Sequence, residues 1–486
     1  MSAFYTTLSD LIGGVNTLLW SYILVALLLF CAFYFTLRSG FVQFRLFGEQ
    51  FRLLGDSGPK DRPGGGKKIS SFQAFAVSLA SRVGTGNLAG VATAIVVGGP
   101  GAVFWMWLIA LMGAATGFIE STLAQLYKVR GRSSFRGGPA YYMKQGLKQP
   151  WMGAVFAILI ALTFGYAFNT VQSNTMSEAL SKAFGFDKTY VGLVIAVTAF
   201  AIIWGGIQSI ARFSSVIVPI MALGYLGIAV VVIAMNISAV PSVFRMIFTH
   251  AFGMESLVGG GMGAAVMNGI KRGLFSNEAG MGSAPNAAAT ATISHPVKQG
   301  LIQALGVFID TIVICSCTAF IILCSGVDLA SGLNGAQLTQ EALSLQIGDF
   351  GTYFIAIALI FFAFSSIIGN YYYGETNIRH LTKNPWVMKA YKITVGIAVF
   401  LGAVMTLDLA WGLADVFMGL TTILNLITIL FLGKYAVRLL RDYLDQKRQG
   451  IKDPVFHKST MPDIMADIEC WDDDWWTNTD PNSSED

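Results

Sequence analysis

Long apolar stretches alternate with short polar segments along most of the chain. A helix that crosses a bilayer needs about 20 mostly apolar residues. The pattern therefore predicts eleven membrane spans, numbered 1 to 11 in chain order: 16–37, 70–98, 101–127, 152–181, 189–206, 213–236, 259–293, 299–325, 351–374, 393–407 and 409–433. The predicted fold class is an all-α polytopic membrane protein.

Two of these spans carry glycine and polar residues at mid-depth. Span 2 contains Gly84-Thr85-Gly86-Asn87, and span 7 contains the stretch Gly273–Asn286. Unpaired backbone groups are costly in hydrocarbon, so a broken helix survives there only where the freed groups face a cavity, a ligand or an ion. The alternative is close packing of small residues without any unwinding.

The positions of these two spans predict an internal repeat. Span 2 is the first, and span 7 the sixth, of the ten spans that follow span 1. The ranges 70–236 and 259–433 are then two sets of five spans with opposite orientation. This is the pattern of an inverted-repeat transporter with one extra N-terminal helix at 16–37.

Composition agrees with a membrane protein. The chain is 54% hydrophobic and 12% charged, whereas soluble domains are about 25% charged. The loops after spans 1, 3, 5, 7 and 9, together with the C-terminal tail, hold 26 of the 32 Lys and Arg residues. The positive-inside rule makes that side cytoplasmic in a cell membrane, with the N-terminus outside and the C-terminus inside.

Two segments are predicted to lie outside the bilayer core. The aromatic and basic segment Phe41–Phe51 is typical of an interfacial helix. We expect a transporter domain over 1–440 and a disordered, acidic cytoplasmic tail over 441–486. The net charge of +4 does not indicate nucleic-acid binding, and four histidines disfavour a metal enzyme.

Three motifs together resemble the sodium:alanine (amino acid:cation) symporter family. They are Thr85-Gly86-Asn87 in span 2, Gly137–Met143 in the following cytoplasmic loop, and Asn277–Asn286 in span 7. The resemblance implies a five-plus-five fold similar to that of neurotransmitter:sodium symporters. It also implies sodium-coupled uptake of alanine, glycine and serine, with the amino acid, sodium and the lipid bilayer as partners and no other cofactor.

Substrate residues are predicted at the two breaks and on spans 4 and 9. Backbone N–H groups in span 2 face the substrate carboxylate, and carbonyls in span 7 face its ammonium group. The predicted substrate-binding residues are Thr85, Gly86, Asn87, Gln172, Gly273, Phe275, Ser276, Asn277 and Asn370. Interhelical hydrogen bonding is the alternative role for the amide side chains.

A sodium site is predicted between spans 2 and 9. Ser365 and Ser366 offer hydroxyl oxygens and Phe362 a carbonyl, and the carbonyls of Ala80 and Val83 complete an all-oxygen shell. Neutral oxygen ligands suit a hard monovalent cation that must be released. The alternative is that the serines bond back to their own helix.

Ionised residues inside spans predict a gate. Glu278 is expected to pair with Arg82, Lys271 or Arg272 and to hold a gating network together. The chain departs from the family pattern at Asn370, where many relatives have tryptophan. That departure allows a larger polar substrate such as glutamine. An intramembrane enzyme and a channel are more distant alternatives, because no catalytic set and no ring of charges is evident.

Overall fold

The computed structural model describes residues 2–56, 69–131, 134–204, 206–253 and 262–472. Within these ranges the chain is helical, and β-pairing is limited to two isolated bridges, Ile69 with Ala291 and Val129 with Arg136. The predicted all-α class is confirmed.

The N-terminal region forms one long helical stretch and two short helices. Its elements are α1 (Ser2–Leu18), a π-helical segment (Leu19–Leu24), α2 (Val25–Arg38), α3 (Val42–Arg45) and α4 (Phe47–Leu54). The first three cover span 1 and extend well before it. The last two cover the segment that was predicted to be an interfacial helix.

Among the described residues, the first predicted repeat, 70–236, contains eight helices, and a ninth, α13, follows it. They are α5 (Ser71–Arg82), α6 (Val91–Gly98), α7 (Ala102–Leu126), α8 (Pro139–Gln145), α9 (Pro150–Leu162), α10 (Phe168–Phe184), α11 (Lys188–Ile203), α12 (Gly206–Met235) and α13 (Val240–Ala251). Wider π-helical turns lead into α6 (Gly86–Gly90) and α10 (Thr163–Ala167).

The second predicted repeat also begins with an interrupted span. Its helices are α14 (Met262–Asn277), α15 (Ala284–Ala288), α16 (Pro296–Val307), α17 (Ser316–Cys324), α18 (Gly335–Ile347), α19 (Phe350–Leu381), α20 (Pro385–Val404) and α21 (Leu407–Arg448). A π-helical segment, Phe308–Cys315, joins α16 to α17.

Eight helical stretches of the described chain are long and apolar enough to cross a membrane. They correspond to spans 1, 3, 4, 6, 8, 9, 10 and 11. Span 5 coincides with the shorter apolar helix α11, and spans 2 and 7 are interrupted. The total of eleven crossings and the repeat boundaries stay predictions.

Helices α13 and α18 were not anticipated from the sequence. Helix α13 follows span 6, and helix α18 follows span 8. Helix α18 packs against the broken part of span 2. Thr339 Oγ1 of α18 donates to the Leu88 carbonyl at 3.2 Å. Helix α18 thereby covers that end of the interrupted span.

The C-terminal region differs from the disordered tail that was expected over 441–486. Helix α21 continues to Arg448, and the residues after it pack on the body of the protein, with Phe456 and Trp471 fully buried. Phe456 N–H donates to the Ser294 carbonyl at 2.9 Å, and Trp471 Nε1 donates to the Gln125 carbonyl at 2.9 Å. Apolar side chains between acidic ones give this segment a surface to bury. The acidic residues 473–486 lie outside the described residues.

Candidate substrate and ion site

Span 2 is interrupted between α5 and the π-helical turn that precedes α6. Val83 leaves the helical region, with φ −77° and ψ 87°, and Gly84 follows it outside the helix. Gly84 N–H donates to Asn87 Oδ1 at 2.9 Å. Thr85 N–H donates to Gln172 Oε1 of α10 at 3.1 Å. The break therefore exists where the sequence predicted it, and two amide side chains hold the freed N–H groups.

Span 7 is interrupted over residues 278–283, between α14 and α15. Three of these residues have left-handed backbone: Glu278 with φ 58°, Gly280 with φ 91° and Gly282 with φ 80°. Glu120 Oε1 accepts from Gly280 N–H at 3.2 Å, and Oε2 accepts from Gly282 N–H at 3.1 Å. Positive φ at a non-glycine residue such as Glu278 is costly, and it persists only where the surroundings enforce it.

Four residues predicted to bind substrate, Gly273, Phe275, Ser276 and Asn277, belong to the last turns of α14. The unwound segment therefore starts later than expected. Phe275, Ser276 and Asn277 are buried at the helix end, where the final carbonyls have no partner within the helix. Gly273 lies apart from them: a Cβ atom there would stand 2.8 Å from Ile109 of α7. Gly273 therefore allows α14 to pack closely against α7, where a side chain would not fit.

The two breaks meet at a buried carboxyl group. Asn87 Nδ2 donates to Ser276 Oγ at 3.1 Å and to Asp310 Oδ1 at 2.7 Å. Asp310 Oδ2 accepts from Ser276 Oγ at 2.5 Å and from Thr311 Oγ1 at 2.9 Å. Asp310 is fully buried, and no Lys or Arg of the described residues lies within ion-pair distance of it. Interrupted spans 2 and 7 and the π-helical part of span 8 therefore share one polar centre.

An aromatic cluster covers this centre. The ring of Phe275 lies 4.4 Å from that of Phe168 and 4.5 Å from that of Trp411 between centroids. A Cβ atom on Gly86 would stand 2.9 Å from Phe275 Cδ1, so only glycine allows this approach. Thr85 Oγ1 is buried beside the same break and has no hydrogen-bond partner among the residues that the structure describes. An unpaired buried hydroxyl next to freed amides is what a polar ligand can satisfy.

Four of the five predicted sodium ligands converge. Ser366 Oγ lies 2.9 Å from the Ala80 carbonyl, 3.4 Å from that of Val83 and 3.0 Å from that of Phe362. Ser366 is fully buried. The Val83 carbonyl is available because the helix breaks there. These neutral oxygens from spans 2 and 9 fit a hard monovalent cation.

The fifth predicted ligand, Ser365, stands at the edge of this group. Its Oγ lies 3.0 Å from the Phe362 carbonyl and 3.7 Å from Met221 Sδ of α12. It joins the cluster through the shared Phe362 carbonyl, while its hydroxyl also faces α12.

The predicted gating pair of Arg82 and Glu278 forms no ion pair in the described chain. Glu278 accepts instead from Ser81 Oγ at 2.9 Å and from Ser283 Oγ. Arg82 Nη1 donates to the Gln303 carbonyl of α16 at 3.2 Å, and its Nε and Nη2 atoms have no partner. Glu278 thus links the two breaks, because it binds Ser81 of α5 in span 2 and Ser283 at the end of its own break in span 7.

Lys271 and Arg272 pair elsewhere than predicted. Arg272 Nη2 lies 2.6 Å, and Lys271 Nζ 3.2 Å, from Asp415 Oδ2 of α21. The Arg272 guanidinium also stands 4.2 Å from the Trp411 ring centroid. Because α14 stays helical to its end, these cations lie more than a turn before the break and face α21. Arg272 thereby contacts Trp411, the member of the aromatic cluster that α21 contributes.

Asn370 lies one helical turn after Ser366 on α19 and belongs to a buried polar layer. Its Nδ2 donates to Asn169 Oδ1 of α10 at 3.0 Å, and its Oδ1 lies 2.6 Å from Ser81 Oγ. Ser81 in turn bonds to Glu278. Asn370 therefore connects spans 2, 4 and 9 next to the span 2 break. Gln172 is the span 4 residue that contacts the freed backbone.

The predicted loop motif reaches the break in span 7 through two side chains. Tyr142, within Gly137–Met143, hydrogen-bonds to Asn425 Oδ1 of α21. Asn425 Nδ2 donates to Glu120 Oε2 at 2.8 Å and to the Gly280 carbonyl at 2.9 Å. The loop, α7 and α21 thus hold one unwound segment together.

Three important carboxyl groups were missed from the sequence: Glu120, Asp310 and Asp415. Each lies inside a predicted span, namely 3, 8 and 11. An ionisable residue at membrane depth is a functional-site candidate by default. That rule, applied to every span and not only to spans 2 and 7, would have found all three.

Known proteins match this arrangement along almost the whole chain. The sequence profile of the sodium:alanine symporter family covers residues 5–458. This chain belongs to that family. It is 51% identical to the probable sodium/glutamine symporter GlnT of Bacillus subtilis over 464 residues, 96% of each chain. It is 49% identical to the amino-acid carrier protein AlsT of Bacillus subtilis, over 96% of this chain and 98% of that one.

A more distant relative is the sodium/alanine symporter AgcS of Methanococcus maripaludis, 38% identical over 88% of this chain and 95% of that one. These relatives are carriers and symporters. As a member of the same family, this chain is a transporter and not an enzyme. The names of these relatives differ between glutamine and alanine, so family membership shows sodium-coupled amino acid transport but not which amino acid is the substrate.

Solved structures agree on the fold. MhsT in complex with L-phenylalanine superposes with a TM-score of 0.54 at 15% identity, covering 78% of this chain and 99% of that chain. A manganese transporter of Eremococcus coleocola gives 0.53 at 13% identity, covering 86% and 89%. The predicted neurotransmitter:sodium symporter-like fold is confirmed by the first of these.

Proposed function

We propose that this symporter takes up small neutral amino acids, namely alanine, glycine and serine, together with sodium by alternating access. The meeting of two interrupted helices at Asn87 and Ser276 carries the proposal. A zwitterion needs hydrogen-bond donors for one end and acceptors for the other. Interrupted helices at membrane depth supply both, through their freed backbone N–H and carbonyl groups.

The substrate carboxylate binds the freed N–H groups of span 2. Thr85 N–H is held by Gln172 Oε1, a neutral acceptor. A hydrogen bond to an ionised carboxylate is about twice as strong as one between neutral groups. The substrate therefore displaces Gln172 from Thr85, and the unpaired Thr85 hydroxyl adds a second donor.

The substrate ammonium faces the end of α14. The last carbonyls of that helix are unpaired and carry the negative end of its dipole. Asp310 lies behind Ser276 at this point and adds a carboxyl group to the same side. The two ends of the site thus differ in the sign of charge that they attract.

Sodium occupies the oxygen cluster of Ala80, Val83, Phe362, Ser365 and Ser366. Binding there ties α19 to the broken end of α5, so ion occupancy and the shape of the span 2 break are coupled. The site holds no carboxylate, which favours a weakly bound ion that is released to the cytoplasm. We place the N-terminus outside and the C-terminus in the cytoplasm of the cell membrane.

A second candidate substrate is glutamine. The relative that is 51% identical is described as a probable sodium/glutamine symporter. Asn370 and Asn169 form an amide pair close to the ion cluster. A polar layer of this kind suits a side-chain carboxamide, whereas Phe275 between Phe168 and Trp411 favours a small side chain.

Uptake into proteoliposomes tests the function. The purified protein is given alanine, glycine, serine or glutamine in labelled form, with an inward sodium gradient or with potassium in its place. We expect saturable uptake of alanine, glycine and serine only with sodium. Faster uptake of glutamine at lower concentration would favour the second candidate. Equal uptake in sodium and potassium would refute sodium coupling.

The ion site is tested separately with Ser365→Ala and Ser366→Ala in one chain. We expect the sodium concentration for half-maximal uptake to rise about tenfold or more, because a buried oxygen ligand is lost. Ser173→Ala is the matched control, since that buried hydroxyl bonds only to carbonyls of its own helix, α10. An unchanged sodium dependence in the double variant would move the ion elsewhere.

A further inference from the structure

A pocket lined by arginine side chains lies between the end of α2, the short helix α3 and the later part of α21. Its volume is about 410 Å³. Four guanidinium groups contribute to its lining, those of Arg38, Arg45, Arg441 and Arg448. None of the lining residues belongs to the two breaks or to the proposed sodium site, and the proposed transport mechanism does not use this pocket.

Three of the four positive charges have no carboxylate to balance them. Asp445 is the acidic residue of the lining, and its Oδ1 lies 3.0 Å from Arg448 Nη1 in an ion pair. Within the part of the chain that the structure describes, Arg38, Arg45 and Arg441 form no ion pair with an acidic side chain. The pocket therefore has an excess of three positive charges, which an anion from outside the chain can balance.

Local contacts orient two of these guanidinium groups without neutralising them. Arg45 Nη2 donates to the Ser39 carbonyl at 3.3 Å. Gly40 has left-handed backbone with φ 62°, and a Cβ atom there would stand 3.3 Å from Arg45 Nη1, so glycine lets the guanidinium pack against the turn. The Arg38 guanidinium stands 6.0 Å from the ring centroid of Tyr34. A guanidinium has five N–H donors, so most of them remain available to a ligand.

The surroundings place the pocket at the level of lipid headgroups. Arg38 directly follows predicted span 1, and the proposed orientation puts this end of the span in the cytoplasmic leaflet. Leu37, which lines the pocket, is 64% exposed, and Phe41 in the next turn is also exposed. Exposed Phe30 and Phe33 continue this apolar surface along α2. Arginine side chains at the end of a span reach from the hydrocarbon to the headgroups.

We propose that this pocket binds the phosphate group of an anionic phospholipid. A guanidinium group is planar and can donate two parallel hydrogen bonds to a phosphate, which makes arginine well suited to this ligand. Basic pockets between transmembrane helices on the cytoplasmic side are suited to anionic headgroups. A lipid fits better than a soluble anion, because exposed Leu37 and Phe41 border the arginines and can contact the glycerol and the upper acyl chains. One bound lipid thus connects α2 and α3 to α21.

Native mass spectrometry of the detergent-solubilised protein measures this binding. Phosphatidylglycerol and phosphatidylcholine, which both carry a phosphate but differ in net charge, are titrated onto the wild type and onto a chain with Arg38→Gln and Arg441→Gln. The control chain carries Lys144→Gln and Arg212→Gln, which remove two exposed cations on the predicted cytoplasmic side that do not line the pocket. Size-exclusion chromatography checks that each chain is folded.

We expect one phosphatidylglycerol to bind the wild type and the control more tightly than phosphatidylcholine. The pocket variant should lose about 10- to 30-fold in phosphatidylglycerol affinity, since each cation near an anionic headgroup contributes about fivefold. Equal losses in the pocket variant and the control would show diffuse attraction and overturn the site. Equal binding of the two lipids to the wild type would also overturn it. Displacement of phosphatidylglycerol by millimolar inorganic phosphate would assign the pocket to a soluble anion and refute the lipid.

Discussion

The two interrupted spans differ in what holds their freed backbone. At span 2, the neutral amide oxygens of Asn87 and Gln172 accept from Gly84 and Thr85. At span 7, both carboxyl oxygens of Glu120 accept from the unwound backbone. The first break is two residues of irregular backbone, and the second covers residues 278–283 with repeated left-handed conformations.

This difference distinguishes the span 2 break, which can bind a ligand, from the span 7 break, which has a structural role. A substrate carboxylate gains energy when it replaces the neutral Gln172 acceptor at Thr85. It gains nothing comparable at Gly280 and Gly282, where a carboxyl group is already in place. We therefore infer that the span 2 break supplies the contacts to the substrate carboxylate and that Glu120 stabilises the unwound residues 278–283 of span 7.

The largest effect is expected from Glu120→Gln. The amide retains one acceptor and turns the other oxygen into a donor that faces an N–H group. A buried N–H group without a partner costs about 1–3 kcal/mol, so alanine uptake should fall about 100-fold while the protein still reaches the membrane. Initial uptake rates, normalised to protein amount, measure this.

The matched control is Glu341→Gln on α18, whose side chain is 40% exposed and pairs with Lys182. Exposed ion pairs contribute little to stability, so uptake should stay near wild type. If Glu120→Gln transported alanine normally as well, the carboxyl group would not be what holds span 7 open, and the contrast between the two breaks would fail.

A smaller effect is expected from Gly86→Ala at the span 2 break. The new methyl group would stand 2.9 Å from Phe275 Cδ1, so the aromatic cluster must shift. We expect the KM for alanine to rise about tenfold, since overpacking costs about 1–3 kcal/mol. Concentration-dependent uptake gives KM and the maximal rate separately.

Gly90→Ala provides the comparison within the same π-helical turn. Its nearest neighbour would be Trp411 at 3.5 Å, which is ordinary contact, and uptake should change less than twofold. Equal defects at Gly86 and Gly90 would point to loss of helix flexibility and not to the contact between Gly86 and Phe275.

Much of the architecture was predictable because it depends on pattern. Long apolar runs predicted the helices, and glycine at mid-depth in spans 2 and 7 predicted the two breaks. The clustering of Ala80, Val83, Phe362 and Ser366 was also expected. The helices and the breaks follow from spacing along the chain and from the rule that backbone must be paired in hydrocarbon, whereas the ion cluster was expected from the family resemblance.

The hydrogen-bond and ion-pair partners of the charged residues were harder to predict. Glu278 was expected to pair with a cation, yet it binds Ser81 and Ser283, while Arg272 pairs with Asp415. The outcome depends on where α14 stops, and helix ends are poorly defined by sequence alone. The Asp415 carboxylate comes from a helix more than a hundred residues away, so no local pattern links it to Arg272.

The smallest effect on transport is expected from Trp471→Ala in the C-terminal segment. Trp471 packs against the buried side chain of Lys128, whose Nζ lies 4.1 Å from its ring centroid, and it bonds to the end of α7. Removal of the ring leaves a cavity that costs about 3–5 kcal/mol, so amide exchange over 449–472 should accelerate at least about tenfold. The control is Trp151→Ala, which removes an exposed ring. Because Glu120 holds the span 7 break from inside, the KM for alanine should stay within twofold. A large change in KM would mean that the tail, and not Glu120, keeps that break in place.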